Sequence, residues 1–487
     1  MEKLIQIIHS APSDWTSANQ EAFEELFGAQ GGRYPARAKD TVKVRAPKMS
    51  TGDGVSFSAY IHPSNPDSGA YGGMSFVIFP IDDGPCLVGM GIGTQGLSPD
   101  EMILSRPGHE RKISAICHWI NQKFGKGNLI AWSKQDPTRI DIDIPENIKN
   151  KFPEFQSVFN RYGKVMYAIF KPIEDKEVTK LVVCAFLDLM FSERGFVPLS
   201  QYYSSSTKVQ QEYFEYLFPK IQKKKVEQIL DQQHYVVLEG PPGTGKTRLA
   251  LEILQQEFQG NGMSIQFHPN TTYENFIGGL SPSESQSDIG FNFKPKLGHL
   301  MEAIVKAQQD SSRPYLLHID EINRADLGKV LGETIFLFEA QDHVQRVINL
   351  SYDFGDPIHR QLSLPKNLFI LGTMNSSDRS IAIMDIAIRR RFSFVKLWPQ
   401  LEVVDSISCE IMKLAFKDIL SIFIEYASED ALSLVPGHAY FLEEDEGKAV
   451  DVLQTTLLPL LEEYLAQGYV SGFSEHILAY MQWLKSL

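Results

Sequence analysis

The chain has 487 residues, more than one ordinary domain encloses around a single core and enough for two or three. Hydrophobic residues make up 43% and charged residues 22%, the balance of a soluble globular protein, and no apolar run approaches the ~20 residues of a membrane span. A formal net charge of -13 excludes a protein that coats nucleic acid through bulk charge, and leaves room only for a local basic groove.

The N-terminus, MEKLIQIIHSAPSDW, has an acid at position 2 and no long apolar core, so it does not read as a signal peptide. Cys86, Cys117, Cys184 and Cys409 are scattered and fit neither a zinc pattern nor a disulfide framework. A reducing cytoplasm and no membrane association are expected. In chain order, ERKISAICHWINQKFG reads as helix, and GGMSFVIFPIDDGPCLVGMGIG, before it, as a hairpin. KVMYAIFKPI is strand-like, whereas TKLVVCAFLDLMF fits a buried strand or a helix. Residues 1–200 therefore form an α+β domain. The polar, turn-rich stretch LSQYYSSST places a linker at 201–212. KVQQEYFEYLFPKIQKKKVEQIL then reads as helical with a break at Pro219, and its lysine run as a solvated helix face. Strand and helix alternate through 213–397, which implies a parallel sheet with helices on both faces. From 398 to 487 only helical patterns remain, as in a small lid.

The strongest signal is YVVLEGPPGTGKTRLALEIL. A buried strand runs into Gly240, Pro241, Pro242, Gly243, Thr244, Gly245, Lys246 and Thr247, and a helix follows with Arg248 in its first turn. This strand–loop–helix context is that of a P-loop. Its glycines let backbone N–H groups turn toward a triphosphate, and the helix N-terminus adds its positive end. Lys246 should reach the β- and γ-phosphates and Thr247 should offer its hydroxyl to Mg²⁺. PYLLHIDEINRAD supplies a second strand ending in Asp320, a metal partner, and Glu321, a base for the attacking water. NLFILGTMNSSD supplies a third. Asn375 and Asp378 share the N-x-x-D spacing of guanine-reading loops. A strand lying beside the other two would instead turn Asn375 toward the γ-phosphate and the attacking water, as a sensor. Asp378 and Arg379 would brace that loop or a neighbouring subunit. IAIMDIAIRRRFSF ends a helix in Arg389, Arg390 and Arg391, which suit its negative dipole end or supply an arginine finger to an adjacent subunit. A finger requires a head-to-tail ring or filament.

Read together, GPPGTGKT, QFHPNTTYENFIGG, IDEINRADLGKVLGE, LGTMNSSDRSIAIMDIAIRRRFSF and PGHAYF resemble the α/β AAA+ P-loop NTPase module, and within it the McrB-like branch. The likeness covers about residues 210–487. MoxR-type AAA+ chaperones, which remodel a protein client, share the sheet but usually lack the GTMN…DRS…RRRF run, and they are the alternative reading. The resemblance implies a hexameric ring that hydrolyses GTP. It implies an McrC-like nuclease partner, and a target of DNA bearing modified cytosine or otherwise foreign, read by the N-terminal domain. It implies Asn375 as sensor, Arg390 and Arg391 as trans-acting arginines, Asp385 as their orienting partner, and Asn323 and Arg324 at an interface. His438 falls in the lid motif near the nucleotide. FHP at 267–269 reads as a structural strand end. DIGFNFKPKLG and VINLSYDFGDPIHRQLSLP fit the branch's β-hairpin insertions. The family often has MNTAD where this chain has MNSSD, and the choice between GTP and ATP stays open. In the N-terminal domain, GIGTQGLSPDEMILSRPGHERK offers Arg106, Arg111 and Lys112 to a target. Trp15, Trp119 and Trp132 read first as core and second as the frame of a flipped base. No nuclease triad stands out in that half.

Overall fold

The computed structural model describes residues 1–28, 31–48, 54–82, 84–283, 292–339, 346–377 and 386–487. The chain divides into two compact units, Met1–Leu217 with Ile424–Tyr426, and Phe218–Phe423 with Ala427–Leu487. No helix among the described residues is long and apolar enough to cross a membrane.

The first unit is built on six strands: β1 (Lys43–Lys48), β2 (Phe57–Ile61), β3 (Met74–Phe79), β4 (Leu87–Ile92), β5 (Ala131–Ser133) and β6 (Met166–Phe170). Their order is β1-β2-β3-β4-β6-β5, antiparallel at every step. The period-two pleat divides the side chains between two cores. Met74, Phe76 and Ile78 of β3 join Val88, Met90 and Ile92 of β4 in the larger core, with residues of helices Glu2–His9, Pro107–Phe124 and Lys176–Glu193. Val77 and Phe79 face the other way, onto Phe152, Phe155 and Phe159.

The ambiguous run TKLVVCAFLDLMF is helix. Asp175 caps it by accepting from the Glu177 and Val178 amides, and its residues are buried nearly all round. Such burial leaves no polar face, so hydrophobic spacing alone could not distinguish it from a strand. Its one acid in that run, Asp188, accepts two hydrogen bonds from Arg33, at 2.7 and 2.6 Å, and one from the Tyr34 hydroxyl at 2.7 Å.

Three features differ from the sequence reading or refine it. Residues 201–212, expected as a linker, lie in the helix Tyr203–Leu217 and the turn before it. Ser206, Val209 and Tyr213, spaced i, i+3, i+7, face the core, a helical stripe hidden by the serines around it. Of the basic side chains offered by residues 91–112, Arg106 and Lys112 both pair with the buried Glu193, Lys112 at 2.6 Å, and Arg111 is buried. Burial raises the Glu193 carboxyl, but His109 and Lys112 outweigh it and hold it at about 2. These cations fasten one helix to another and are not a free basic surface. Trp15 and Trp119 are core residues, and Trp132 packs at the edge of the smaller core.

The second unit carries β7 (Tyr235–Gly240), β8 (Gly262–Gln266), the antiparallel hairpin β9 (Gly278–Ser283) and β10 (Asn292–Leu297), and β11 (Tyr315–Asp320). The short pair β12 (Ile348–Asn349) and β13 (Gln361–Leu362) follows, then β14 (Leu368–Asn375) and β15 (Ser393–Lys396). The main sheet has the order β15-β7-β14-β11-β8 and is parallel throughout. Tyr235 and Val237 face one core and Val236 and Leu238 the other, as a sheet covered on both faces requires. Lys223, first of the KKK run, is ringed by Glu227, Glu252 and Glu257 at 3.3 to 3.6 Å. From Leu401 onward the elements are helical.

Because Arg33 and Asp188 are both largely buried, removing one partner strands the other charge. Asp188→Ala should destabilise the full chain by about 3–5 kcal/mol in the urea transition of the first unit. A loss under 1 kcal/mol would mean that water reaches this pair.

Candidate functional site

The sheet order sets the C-terminal ends of β7, β14 and β11 side by side, where open parallel sheets bind ligands. Around the first of these ends the chain turns through Gly243 and Gly245, both at φ +78°, a region that other residues rarely adopt. The helix Lys246–Gln256 then begins, with Gly245 as its N-cap. Lys246 is 7% exposed, and its Nζ donates to the carbonyls of Gly240 and Pro241 at 3.0 and 2.7 Å. Burial drives its pKa down to about 8, against the upward pull of Glu321 and Asp320. Thr244 donates to the Pro241 carbonyl and so stiffens the loop.

Asp320 closes the other side. Its Oδ1 accepts from the hydroxyl of Thr247 at 2.7 Å and from that of Thr373 at 2.5 Å. Glu321 adopts left-handed φ, +53°, and its amide donates to Thr373 Oγ1 at 3.2 Å. Asn375 Nδ2 donates to Glu321 Oε1 at 2.6 Å. The Ser376 amide donates to the Gly240 carbonyl, tying the end of β14 to the start of the loop. Asn323 is buried, and its Nδ2 donates to the Asn375 carbonyl at 3.3 Å. Arg324 is half exposed, with Nε 3.7 Å from Glu321 Oε2. Of the two residues expected at an interface, Asn323 therefore supports the site from within its own chain.

The lid segment 436–441 lies on the P-loop backbone. The Gly437 and Ala439 amides donate to the carbonyls of Pro242 and Gly243, each at 2.9 Å. A Cβ on Gly437 would stand 2.1 Å from the Gly243 carbonyl carbon, so no other residue fits that approach. His438 Nδ1 accepts from the Gln400 amide, which puts the proton of the neutral ring on Nε2, the atom nearer Gly245. Burial and the neighbouring Arg248 lower its pKa to about 4, so it is neutral near pH 7. Arg248 itself is exposed on the helix's first turn.

The arginines separate. Arg389 lies 3.6 Å from Glu239 and over the Phe394 ring. Arg391, expected to act on a neighbouring subunit, donates to Glu339 Oε2 at 2.7 Å within its own chain and is only 11% exposed. Arg390 is exposed and makes no ion pair among the described residues. Asp378, Arg379 and Asp385 lie outside the described residues, as does the tip of the β9–β10 hairpin.

Sequence reasoning did not assign Thr373, Gly437 or Tyr440. Thr373 was visible as the one hydroxyl in the apolar run LFILGTM. The ring of Tyr440 covers the αH of Gly243, where a Cβ would stand 2.8 Å away. The donor set fits a magnesium nucleotide. A hydroxyl and a carboxylate 2.7 Å apart suit a hard cation that keeps waters and substrate phosphates as its other ligands, and a buried ammonium beside a helix N-terminus suits a phosphate. These features define a P-loop nucleoside triphosphatase module of the AAA+ type.

Residues 235–392 match the AAA domain of the dynein-related subfamily. Over 355 residues the chain is 28% identical to the EcoKMcrB subunit of the type IV methyl-directed restriction enzyme of Escherichia coli K12, covering 66% of this chain and 75% of that one. It is 27% identical over 271 residues to YdiS, a component of the type II restriction enzyme BsuMI of Bacillus subtilis 168, covering 47% and 78%. Residues 235–392 thus carry an AAA domain, and the chain is similar to McrB over 66% of its length.

The depressed Lys246 pKa has a thermodynamic consequence. A phosphate favours the charged ammonium, so binding above pH 8 must take up a proton. Nucleotide Kd should be flat from pH 7 to 8, then rise toward about tenfold per pH unit. Calorimetry in two buffers of different ionisation enthalpy should show the uptake; a Kd flat to pH 9.5 would contradict it.

Proposed function

We propose that this chain is the NTP-hydrolysing motor of a restriction system, using GTP or ATP with Mg²⁺ to drive an McrC-like nuclease against modified or foreign DNA. The observation that carries the hydrolytic part is the pairing of Glu321 with Asn375 beside Asp320, Thr247 and Lys246. Lys246 exchanges its two carbonyl contacts for β- and γ-phosphate oxygens. Thr247 and Asp320 would hold Mg²⁺, which when bound offsets the charge of the phosphates. Glu321 accepts the proton of the attacking water, and Asn375 holds that carboxylate in place. His438 donates from Nε2 on the lid side.

Hydrolysis also needs a cation at the charge that develops on the transferred group. Arg391 is committed to Glu339, so Arg390 supplies it, from the neighbouring protomer of a head-to-tail homo-oligomer, expected to be a hexamer. The restriction role is supported by the relatives, two of which are named as parts of restriction enzymes. The first unit would be the target reader.

Glu321→Gln should retain nucleotide and lower turnover by ~10²–10⁴-fold. Arg390→Ala should lower it by ~10³-fold or more, with binding unchanged. Mixing the two inactive variants should restore phosphate release, because the Glu321→Gln protomer still donates Arg390 to its neighbour. No recovery on mixing would place the cation in the same chain. Arg391→Ala should chiefly lower the melting temperature.

A further inference from the structure

The strand β14 grips Glu321 at two points. Leu371, Thr373 and Asn375 share one face of the main sheet, as do Leu316, His318 and Asp320 of β11. Leu316 and Leu371 mark that face, since both lie in one core with Ala250 and Leu254 of the helix Lys246–Gln256. Further along the same rows stand Asp320 and Thr373, with Asn375 at the end of β14. Asn375 holds the carboxylate of Glu321, its Nδ2 donating at 2.6 Å. Thr373 holds the backbone of the same residue, its Oγ1 accepting from the Glu321 amide at 3.2 Å.

The direction of the bonds around Thr373 is fixed. A backbone amide can only donate, a carboxylate can only accept, and a hydroxyl has one hydrogen. With its oxygen taking the Glu321 amide, Thr373 gives that hydrogen to Asp320 Oδ1, 2.5 Å away. Asp320 is in turn steadied by the Thr247 hydroxyl at 2.7 Å. Thr373 is 1% exposed, so bulk water does not reach it to replace either bond.

Glu321 needs such an anchor. At φ +53° it leaves the extended backbone of β11 and opens the short helix Ile322–Arg324. A residue with a Cβ enters that region only at a cost. A small relaxation of the backbone here swings the whole side chain. One hydrogen bond from Asn375 at the carboxylate lets the side chain pivot about its tip. The second, at the amide, holds the other end.

We propose that Thr373 is a positioning residue for hydrolysis: its hydroxyl sets the backbone of Glu321 against Asp320, and so aims the Glu321 carboxylate at the attacking water. It acts through Glu321 and not on the nucleotide. The proposal rests on the reading of Glu321 as the base.

Thr373→Val keeps the volume and the β-branch and removes the hydroxyl. In the full chain with Mg²⁺ it should lower kcat by about 10²-fold, the scale of a 1 Å misplacement, and leave the Kd of a non-hydrolysable nucleotide unchanged. Thr373→Ser should recover most of the rate. A role in packing alone would give the reverse order, because Val retains the methyl that Ser lacks. The double variant with Glu321→Gln should be no slower than Glu321→Gln alone, since nothing is left to position. If the two losses multiply, Thr373 acts elsewhere and the inference is overturned. If Thr373→Val matches the parent's kcat while Glu321→Gln is slow, the inference falls and the base stands. If Glu321→Gln itself turns over at the parent's rate, the reading of the base falls, and the role of Thr373 with it. Should Thr373→Val not fold, Thr373→Cys takes its place with the same expected outcomes, its thiol being a weak donor and acceptor.

Discussion

Two hydroxyl groups meet on one carboxylate oxygen: Thr247 and Thr373 both donate to Asp320 Oδ1. One comes from the helix after the P-loop and the other from β14, so this oxygen joins three elements that are far apart in sequence. The parallel order β7-β14-β11 makes the junction possible, because it sets their C-terminal ends at one height. Thr373 also accepts from the Glu321 amide, where the backbone enters the left-handed region. Such a conformation costs of order 1–3 kcal/mol and persists where its surroundings over-determine it. Here they include the Thr373 hydroxyl on one side and the Asn375 amide on the carboxylate.

Much of this was legible in the sequence because P-loop chemistry needs particular residues at fixed spacing. The glycines of GPPGTGKT, the acids after YLLHI and the asparagine after NLFILGT each ended an apolar run, and the alternating pattern implied that the runs pair in parallel. Asn375 was read correctly as lying beside the strands that carry the P-loop and Asp320. Its partner was not, since no spacing reveals that its amide meets Glu321. The two arginines defeated the sequence for a similar reason. Arg390 and Arg391 are adjacent and chemically identical, and only the position of Glu339, some fifty residues upstream, separates a held side chain from an exposed one.

The first unit was less legible, and composition explains why. Its chemistry-bearing residues carry no fixed spacing, so Arg106, Lys112 and the tryptophans stood out by residue type alone. The fold spends those on its interior: Glu193 takes the two cations, and Trp15 and Trp119 enter the core. What distinguishes this unit is a pattern of omission, three glycines at period two in LVGMGIG, which lets Met166 and the Tyr71 backbone pack closely against this stretch while its other face stays apolar. Omission is hard to see in a sequence, because a glycine equally marks a turn or a bulge.

The lid adds a constraint that links occupancy to shape. Its segment 436–441 holds the P-loop through two backbone hydrogen bonds and the close approach of Gly437 to Gly243. The carbonyls of Pro242 and Gly243 are thus already committed, while the amides of the loop remain for an anion. Lys246, by contrast, is held by the Gly240 and Pro241 carbonyls, contacts it must exchange for phosphate. A ligand that turns those peptide units acts on their neighbours at Pro242 and Gly243, and so on the lid. Packed interfaces of this kind shift between discrete arrangements more readily than they deform by degrees. The lid is therefore placed to register the state of the phosphate through the loop backbone as well as through His438.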